Sequence, residues 1–541
     1  MHLKINNLHI RDIIISSVLF LIVLGIGYQY LLKGTCGVFH DDAIYVITAK
    51  ALSEGKGYRL INLPESPLQT KYPFLYPGLL ALIWRATPNF SQNIFSMKII
   101  TLLTGALAIG LCYFYMIRFM HCHRFIAFSS CLLCSTTPWF LFFATNTLSE
   151  MFFLLLLLLS LWALEGKSRN PFTSRKRDFV IGILVSLPFL CRNIGAACII
   201  SSIIICYWRK IPFRWVILGS LTIVLPWLLW VLYSMLFSIY NPVQEYYVDY
   251  IGWWHRFGYY SMASIFFINI FIFLYGVNRL IFSGIYYIFF PFDFNWTFFI
   301  YLLFMAFIFF LYCVRNIRNP GFLFLFIISY IGIILFWPWP PDRFIIIILP
   351  FLIGHLVLGI DTIFERLGFK NIFRAAGAVI MIILVTTNLF IVYQNIEDQK
   401  RTGYPQIISQ ASMEDSVYWA SYEDIFNWVK EHSSPNDVIA SGLDSMVYLY
   451  TGRQSFRPYV ANFISVFYNG NYPAVGTVDE FHRILATYKP KYLIDTPMPG
   501  FPEEKYFHTL LQHFLNRYPN ALRPVYMGQD TRFKIYEINF H

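Results

Sequence analysis

The feature that most constrains this chain is a series of apolar segments that recurs from residue 12 to residue 393. Each is close to the roughly 20 residues that a helix needs to cross a bilayer. Only 13% of the 541 residues are charged, about half of the share in an average soluble domain. Residues 394–541 are charged, contain scattered prolines and have no long apolar run. The sequence therefore predicts a polytopic α-helical membrane domain over residues 1–393 and a soluble domain over residues 394–541.

The net charge of +11 comes largely from basic residues in five short loops between the apolar segments. The loops contain Arg118, His121, His123 and Arg124; Lys167, Arg169, Arg175, Lys176 and Arg177; Arg209, Lys210 and Arg214; Arg315 and Arg318; and Arg366, Lys370 and Arg374. Basic loops of this kind face the cytoplasm under the positive-inside rule. A nucleic-acid surface would not be divided among five hairpins, so we expect membrane lipids and no nucleic acid as partners.

The apolar segments and basic loops together predict 11 membrane spans. The spans are expected at about 12–33, 95–117, 125–143, 149–165, 215–236, 294–313, 321–337, 344–360 and 375–393, with a short out-and-back pair within 179–208. The number becomes 13 if residues 263–290, part of an outer segment over 237–291, contain an extra pair. We expect a retained first span in the inner or plasma membrane, a cytoplasmic N-terminus, a long first outer loop over residues 34–92 and an extracytoplasmic C-terminal domain.

The C-terminal domain is predicted to be a small α/β domain, because amphipathic helix patterns alternate with short strand patterns. It contains no glycine-rich phosphate loop and no paired histidine ligands. None of the nine cysteines lies in it, and the CxxC pair Cys131 and Cys134 lies inside an apolar span. We therefore expect buried thiols and neither a disulfide framework nor a zinc site.

Ionisable residues collect at the predicted outer face although up to 300 residues separate them. They are Asp41, Asp42, Lys71, Glu150, Arg192 and Arg343. Charges at the edge of a membrane domain are costly unless they are paired or used, so each is a candidate for function. The sequence also allows structural explanations. Arg343 could reach the interface as many span-end arginines do, Glu150 could be favoured by the dipole of its helix, Lys71 could be an ordinary loop charge, and Asp41 with Asp42 could stabilise a helix start.

Five segments, taken in order, resemble the GT-C membrane glycosyltransferases, in the branch of protein O-mannosyltransferases and lipid A aminoarabinose transferases. The segments are "DDAIYVITAKALSEGKGY", "KYPFLYPGLLALIW", "LSEMFFLLLLLLSLWAL", "GILVSLPFLCRNIGAACII" and "DRFIIIILPFLIG". In the C-terminal domain, "IFNWVKEHSSPNDVIAS" and "YLYTGRQS" are similar to the soluble extensions of bacterial members. The chain has Asp-Asp where Asp-Glu is common and Phe344 where Tyr is frequent, and it lacks the Glu-Lys-Pro run of some members around Lys71.

The resemblance implies an inverting transfer of a sugar from a polyprenyl-phosphate carrier to an acceptor hydroxyl of a lipid, glycan or protein on the outer face. Asp41 is then the expected general base, and Asp42 and Glu150 are expected to bind hydroxyl groups in a polar pocket. Arg343 and Lys71 are expected to meet the charge of the leaving phosphate, Arg192 to belong to the same site, and Tyr45 and Tyr76 to form pocket walls. One phosphate does not demand a metal, so no cofactor is expected to be required, although some relatives bind a divalent metal.

Two other classes of function fit parts of the sequence. A lipid or glycolipid flippase or other transporter also uses intramembrane charges, but it more often has charges in the middle of spans, broken helices in matched halves and internal repeats. A receptor with an outer binding domain leaves the charges at the outer face unexplained. The sequence does not identify the sugar or the acceptor, and it assigns no role to His40.

Overall fold

The computed structural model describes residues 9–169, 174–237, 242–248, 250–285, 321–405, 416–468 and 473–539, together with the single residues 303, 306, 307, 310 and 313. Most of this part of the chain before residue 405 is helical. The helices are α1 (Ile10–Tyr30), α2 (Asp41–Ser53), α3 (Leu75–Ala86), α4 (Gln92–Arg118), α5 (Arg124–Ser135), α6 (Pro138–Thr145), α7 (Glu150–Arg169), α8 (Arg175–Cys191), α9 (Ala196–Trp208), α10 (Arg214–Phe237), α11 (Pro242–Val248), α12 (Tyr250–Ile281), α13 (Phe322–Leu335), α14 (Asp342–Arg366) and α15 (Lys370–Thr402).

Six of the described helices are long and apolar enough to cross a membrane, and the bent pair α5 and α6 makes seven if it counts as one span. The six are α1, α4, α10, the part Met262–Ile281 of α12, α14 and the part Arg374–Thr402 of α15. Helices α1 and α10 expose large apolar side chains such as Leu21 and Leu229, which is typical of helices that face lipid. The chain is therefore a multi-pass membrane protein.

The structure corrects the prediction for residues 237–291. The sequence predicts an outer segment over residues 237–291, with an extra pair of spans within 263–290 if the total is 13, whereas residues 250–281 form the single helix α12. No proline or tight turn interrupts the apolar stretch Met262–Ile281, so its backbone hydrogen bonds continue without a reversal. The predicted span at 294–313 lies almost entirely outside the described residues, so the total number of spans is not settled by the described part of the chain.

The short pair predicted within residues 179–208 is present. Helix α8 ends at Cys191, a 3₁₀ turn covers Asn193–Gly195, and α9 returns from Ala196. A Cβ atom at Gly195 would lie 2.3 Å from the backbone of Pro188, so only glycine allows so tight a reversal. This reversal places Arg192 at the tip of the pair, beside the first residues of α7.

Residues 416–539 form a small α/β unit. Its helices are α16 (Trp419–His432), α17 (Asp444–Thr451), α18 (Phe463–Tyr468), α19 (Val478–Tyr488) and α20 (Glu504–Arg517), and its strands are β1 (Ile439–Ser441), β2 (Ser455–Phe456), β3 (Tyr492–Asp495), β4 (Leu522–Met527) and β5 (Lys534–Ile538). The strand order is β2-β1-β3-β5-β4. Strands β2, β1 and β3 are parallel, whereas β5 is antiparallel to both β3 and β4.

The α/β unit is joined to the first outer loop by hydrogen bonds to backbone carbonyls of that loop. The amide of Ser455 donates to the carbonyl of Asn62 at 2.8 Å, and the side chain of Gln454 donates to the carbonyl of Leu63 at 3.1 Å. Two helices, α2 and α3, occupy the same loop, and α2 is buried along most of its length. The C-terminal unit therefore lies directly on the loop that contains Asp41.

Candidate active site

A cavity of about 650 Å³ lies where the first outer loop, the ends of several membrane helices and the C-terminal unit meet. The membrane part contributes Val38, Phe39, His40, Asp41, Tyr45, Lys71, Tyr72, Pro73, Trp139, Phe142, Cys191, Arg192, Asn193, Ile194, Arg279, Trp337, Trp339, Pro340, Asp342, Arg343 and Phe344. Residues that follow in the chain contribute Tyr404, Pro405, Phe467, Pro499, Gly500, Phe501, Pro502 and Glu503. Five of the eight residues predicted for the site line this cavity together, namely Asp41, Tyr45, Lys71, Arg192 and Arg343.

Asp41 is the first residue of α2, and its carboxylate faces the cavity. The guanidinium of Arg343 donates to its Oδ2 atom, and the hydroxyl of Tyr72 donates to its Oδ1 atom. Burial alone would raise the pKa of Asp41, but the charges of Arg343 and Lys71 and the hydrogen bond from Tyr72 outweigh burial. The pKa therefore lies well below that of an ordinary aspartate, and the carboxylate is ionised at neutral pH.

Arg343 links Asp41 to a second carboxylate, Glu150. Glu150 is the first residue of α7 and its side chain is fully buried. Arg343 is the second residue of α14 and contacts the same carboxylate. Arg192, at the tip of the short pair, donates from Nη1 to Glu150 Oε1 at 2.6 Å and to Ser149 Oγ at 2.9 Å. Two carboxylates and two guanidinium groups thus form one continuous cluster, which we call the cavity cluster (Asp41, Glu150, Arg192 and Arg343). Glu150 forms the buried end of this cluster and does not line the cavity itself.

Lys71 adds a third cation to the cavity. Its ammonium group lies 5.3 Å from the ring centre of Tyr72 and 5.5 Å from that of Trp339. The side-chain amide of Asn193 donates to the Lys71 carbonyl at 2.9 Å, which holds this part of the loop against the short pair. Burial lowers the pKa of Lys71 to about 8, against the attraction of Asp41. The lysine is therefore a cation at neutral pH and loses its charge in mildly alkaline solution.

Asp42 and Tyr76 do not line the cavity, contrary to the prediction that they shape its walls. Asp42 faces the core, where its carboxylate accepts from the backbone amides of Gly37 at 2.7 Å and Phe39 at 3.1 Å. Helical geometry explains this, because neighbouring residues at the start of a helix point about 100° apart. The hydroxyl of Tyr76 is bonded to that of Thr101, and its ring packs edge-on against Tyr45. Tyr76 therefore supports a cavity residue from behind.

Several cavity residues were not predicted from the sequence, among them the charged pair Arg279 and Asp342. Arg279 Nη2 donates to Asp342 Oδ1 at 2.8 Å, and the guanidinium lies 5.1 Å from the ring centre of Trp139. A lone arginine in the apolar stretch of α12 is a signal that could have found it. Asp342 stands beside Arg343 in the sequence, as Tyr72 stands beside Lys71. The contribution of residues 499–503 of the C-terminal unit had no comparable signal.

None of the nine cysteines is joined in a disulfide bond in the structure. Within the residues that the structure describes, no group of three or more His, Cys, Asp or Glu side chains is placed to hold a metal ion. The charged side chains around the cavity form ion pairs between carboxylates and guanidinium groups. The charge of Lys71 also acts on Asp41.

Comparison with solved structures identifies the fold. The chain matches the ArnT structure from Cupriavidus metallidurans bound to undecaprenyl phosphate with a TM-score of 0.53 and 13% sequence identity, over 97% of each chain. It matches the archaeal oligosaccharyltransferase AglB from Archaeoglobus fulgidus, in complex with an inhibitory peptide and a dolichol-phosphate, with a TM-score of 0.52 and 13% identity, over 98% of this chain and 74% of AglB. No protein-family model and no curated protein sequence matches the chain.

These matches confirm at the level of the fold the resemblance found in the sequence. The chain shares the fold of the GT-C superfamily of membrane glycosyltransferases along nearly its whole length. A sequence identity of 13% assigns the fold and leaves the chemistry to be argued from the residues of the cavity.

Proposed function

We propose that this protein is an integral-membrane glycosyltransferase that transfers a sugar from a polyprenyl-phosphate carrier to an acceptor hydroxyl. The observation that carries the proposal is the placement of Asp41. A carboxylate held ionised at the wall of a cavity, within contact of an arginine and beside a lysine, combines a proton acceptor with a binding site for phosphate. The fold shared with two proteins solved in complex with polyprenyl phosphates supports the same assignment.

The cations of the cavity are the proposed partners of the donor phosphate. Arg343 and Arg192 already bind carboxylates, and carboxylate and phosphate oxygens suit the same guanidinium geometry. Nη2 of Arg343 is buried and has no hydrogen-bond partner among the described residues. Leaving a buried donor without an acceptor is costly, so an incoming phosphate oxygen would satisfy it. Lys71 supplies a further positive charge on the same side of Asp41.

Arg343 would change partners when the donor binds. In the ligand-free protein its guanidinium is shared between Asp41 and Glu150. A phosphate that draws Arg343 away removes the main charge that depresses the pKa of Asp41, and the carboxylate becomes a stronger base next to the acceptor. The acceptor oxygen then attacks the anomeric carbon while Asp41 takes its proton. The bond from that carbon to the phosphate breaks, and the arginines and Lys71 stabilise the phosphate that leaves.

The walls of the cavity suit a sugar. Tyr45, Tyr72, Trp139 and Trp339 offer aromatic faces, and Arg279 with Asp342 offers a donor and an acceptor for ring hydroxyls. We propose that the reaction takes place on the extracytoplasmic face. Helix α7 supports this side, because it begins at Glu150 beside the cavity and ends at Arg169 in a strongly basic segment, and basic segments remain in the cytoplasm. A lipid, glycan or protein could supply the acceptor hydroxyl, and the reaction requires no cofactor.

The test compares surface glycans and glycolipids by mass spectrometry in a deletion strain, its parent and a strain that carries Asp41→Asn. The proposal expects one sugar substituent to be absent from the deletion strain and from the Asp41→Asn strain, and to return with the wild-type gene. The purified wild-type protein in vesicles should then transfer that sugar from its polyprenyl-phosphate carrier. Movement of the lipid across the vesicle membrane without a glycosylated product would instead identify a flippase and overturn the proposal.

A further inference from the structure

His40, the residue directly before Asp41, adopts an unusual backbone conformation. Its φ is 63° and its ψ is −56°, a region that side chains other than glycine rarely occupy. Such a conformation costs on the order of 1–3 kcal/mol and persists only where the surroundings hold it in place. The contacts of the turn over residues 34–40 show which part of the molecule does this.

Helix α17 of the C-terminal unit lies against this turn along its length. The hydroxyl of Tyr450 donates to the carbonyl of Gly34 at 2.6 Å and accepts from the amide of Cys36 at 2.9 Å. Gly37 has a φ of 98°, and a Cβ atom there would lie 2.8 Å from Cβ of Met446. The turn is therefore fitted closely to a helix that is about 400 residues away in the sequence.

The first residue of α17, Asp444, connects His40 to a second cluster of buried charges. Nε2 of His40 lies 3.5 Å from Oδ1 of Asp444, and Asp444 also accepts from the side chain of Asn62 at 3.1 Å. Nε of Arg457 lies 3.5 Å from the same Oδ1 atom, and Nη1 of Arg457 donates to Glu503 at 3.0 Å. We call His40, Asp444, Arg457 and Glu503 the interface cluster. It runs from the start of α2 to the part of the cavity wall formed by residues 499–503.

We propose that His40 is a positioning residue, which the C-terminal unit holds through Asp444 so that the carboxylate of Asp41 is fixed at the cavity wall. The inference rests on the proposed function, because positioning matters only if Asp41 acts on a substrate. It explains why a strained histidine precedes the carboxylate, and it makes the C-terminal unit part of the catalytic apparatus. Displacing a reacting group by about 1 Å can reduce a rate about 100-fold, so the turn has a measurable role.

The test uses the full-length protein in lipid nanodiscs and four variants. His40→Val introduces a β-branched residue, for which a positive φ is a genuine outlier, whereas His40→Asn introduces one that accepts positive φ more readily. Asp444→Asn weakens the contact from the opposite side. His508→Asn is the matched control, because His508 forms another histidine–aspartate pair, with Asp495 at 3.0 Å, and does not line the cavity.

Transfer is measured with the donor and acceptor that the glycan comparison identifies. His40→Val and Asp444→Asn should lower kcat by about 100-fold and about 10-fold while the KM for the donor changes by less than about 3-fold, because the cations that bind phosphate stay in place. His40→Asn keeps a residue that accepts positive φ but lacks the imidazole that contacts Asp444, so it should lose about as much kcat as Asp444→Asn. His508→Asn should equal the wild type. An unchanged kcat in both His40→Val and Asp444→Asn would overturn the proposal, and so would an equal loss in His40→Asn and His40→Val.

Two measurements that need no turnover separate this inference from the proposed function. Amide hydrogen exchange across residues 34–42 should be about 10-fold faster in His40→Val and Asp444→Asn and unchanged in His508→Asn. Binding of undecaprenyl phosphate should be retained in all four, which shows that each variant keeps its cavity. If even the wild type transfers no sugar, the proposed function fails. Hydrogen exchange then decides alone, and an unaltered rate in Asp444→Asn would show that α17 does not hold the turn.

Discussion

Two buried clusters of charge meet at consecutive residues of this protein. The cavity cluster ends at Asp41 and the interface cluster ends at His40. The side chains of Asp41, Arg343 and Arg192 are 18%, 17% and 10% exposed, whereas those of His40, Asp444, Arg457 and Glu503 are 6% exposed or less. A more exposed ion pair can exchange a protein carboxylate for a ligand phosphate, whereas more deeply buried pairs fix one arrangement of the chain. The interface cluster is of the second kind, although His40 and Glu503 also border the cavity. Accessibility therefore separates two clusters of similar composition into a binding role and a positioning role.

The largest effect is expected for Asp41→Asn, which tests the role of the cavity cluster directly. The amide cannot accept the proton of the acceptor, so kcat should fall by about 1,000-fold, as for other general bases. Binding of undecaprenyl phosphate should be retained or become tighter, because Arg343 loses a competing carboxylate. Both are measured on the purified protein, kcat with the identified substrates and binding by calorimetry.

The opposite changes in rate and affinity make Asp41→Asn a strict test. A merely structural role of Asp41 would lower affinity and rate together. A variant that still transfers sugar at more than about a tenth of the wild-type rate would show that another group is the base.

The second effect, in order of size, is expected for Arg343→Gln. This change leaves Asp41 and Glu150 without their shared guanidinium and removes a donor to the phosphate, so kcat/KM for the donor should fall by about 100-fold or more. Affinity for undecaprenyl phosphate should fall as well, in contrast to Asp41→Asn. Arg124→Gln is the matched control, because Arg124 pairs with Asp12 at 2.7 Å and does not line the cavity. Equal losses in the two variants would contradict a specific role of the cavity cluster.

A smaller effect concerns Lys71 and is seen as a dependence on pH. Burial lowers the pKa of Lys71 to about 8, so the cation is present below that pH and is lost as the pH rises through it. In the wild type, kcat/KM for the donor should therefore decline above about pH 8, since this ratio reports groups of the free enzyme. Lys71→Arg, which stays charged, should remove the alkaline decline. A decline of the same shape in Lys71→Arg would assign it to another group.

The sequence predicted much of the membrane part because apolar length and basic loops depend on local composition. The same reasoning identified Asp41, Arg192 and Arg343, since charges at the edges of apolar segments are visible without knowledge of contacts. It misplaced Asp42 because adjacent residues of a helix point in different directions. It allowed an extra pair of spans where the single helix α12 lies, because apolar composition does not show where a chain reverses. The interface cluster was not predictable, since Asp444, Arg457 and Glu503 are ordinary charges in the sequence and become a unit only when the C-terminal sheet folds onto residues 34–69.

The smallest effect is expected for Asp42→Asn, which makes the same chemical change as Asp41→Asn one residue further along. Asp42 accepts two backbone amides in the turn before α2 and does not line the cavity. Burial raises the pKa of the Asp42 carboxyl group. An uncharged amide removes the cost of desolvating the carboxylate. It also loses one of the two hydrogen bonds, which contributes about 1 kcal/mol. We expect kcat within about 3-fold of the wild type and a small shift of the thermal unfolding midpoint. A loss of kcat as large as that of Asp41→Asn would show that both carboxylates act on the substrate, and the distinction between a cavity-facing and a core-facing aspartate would fail.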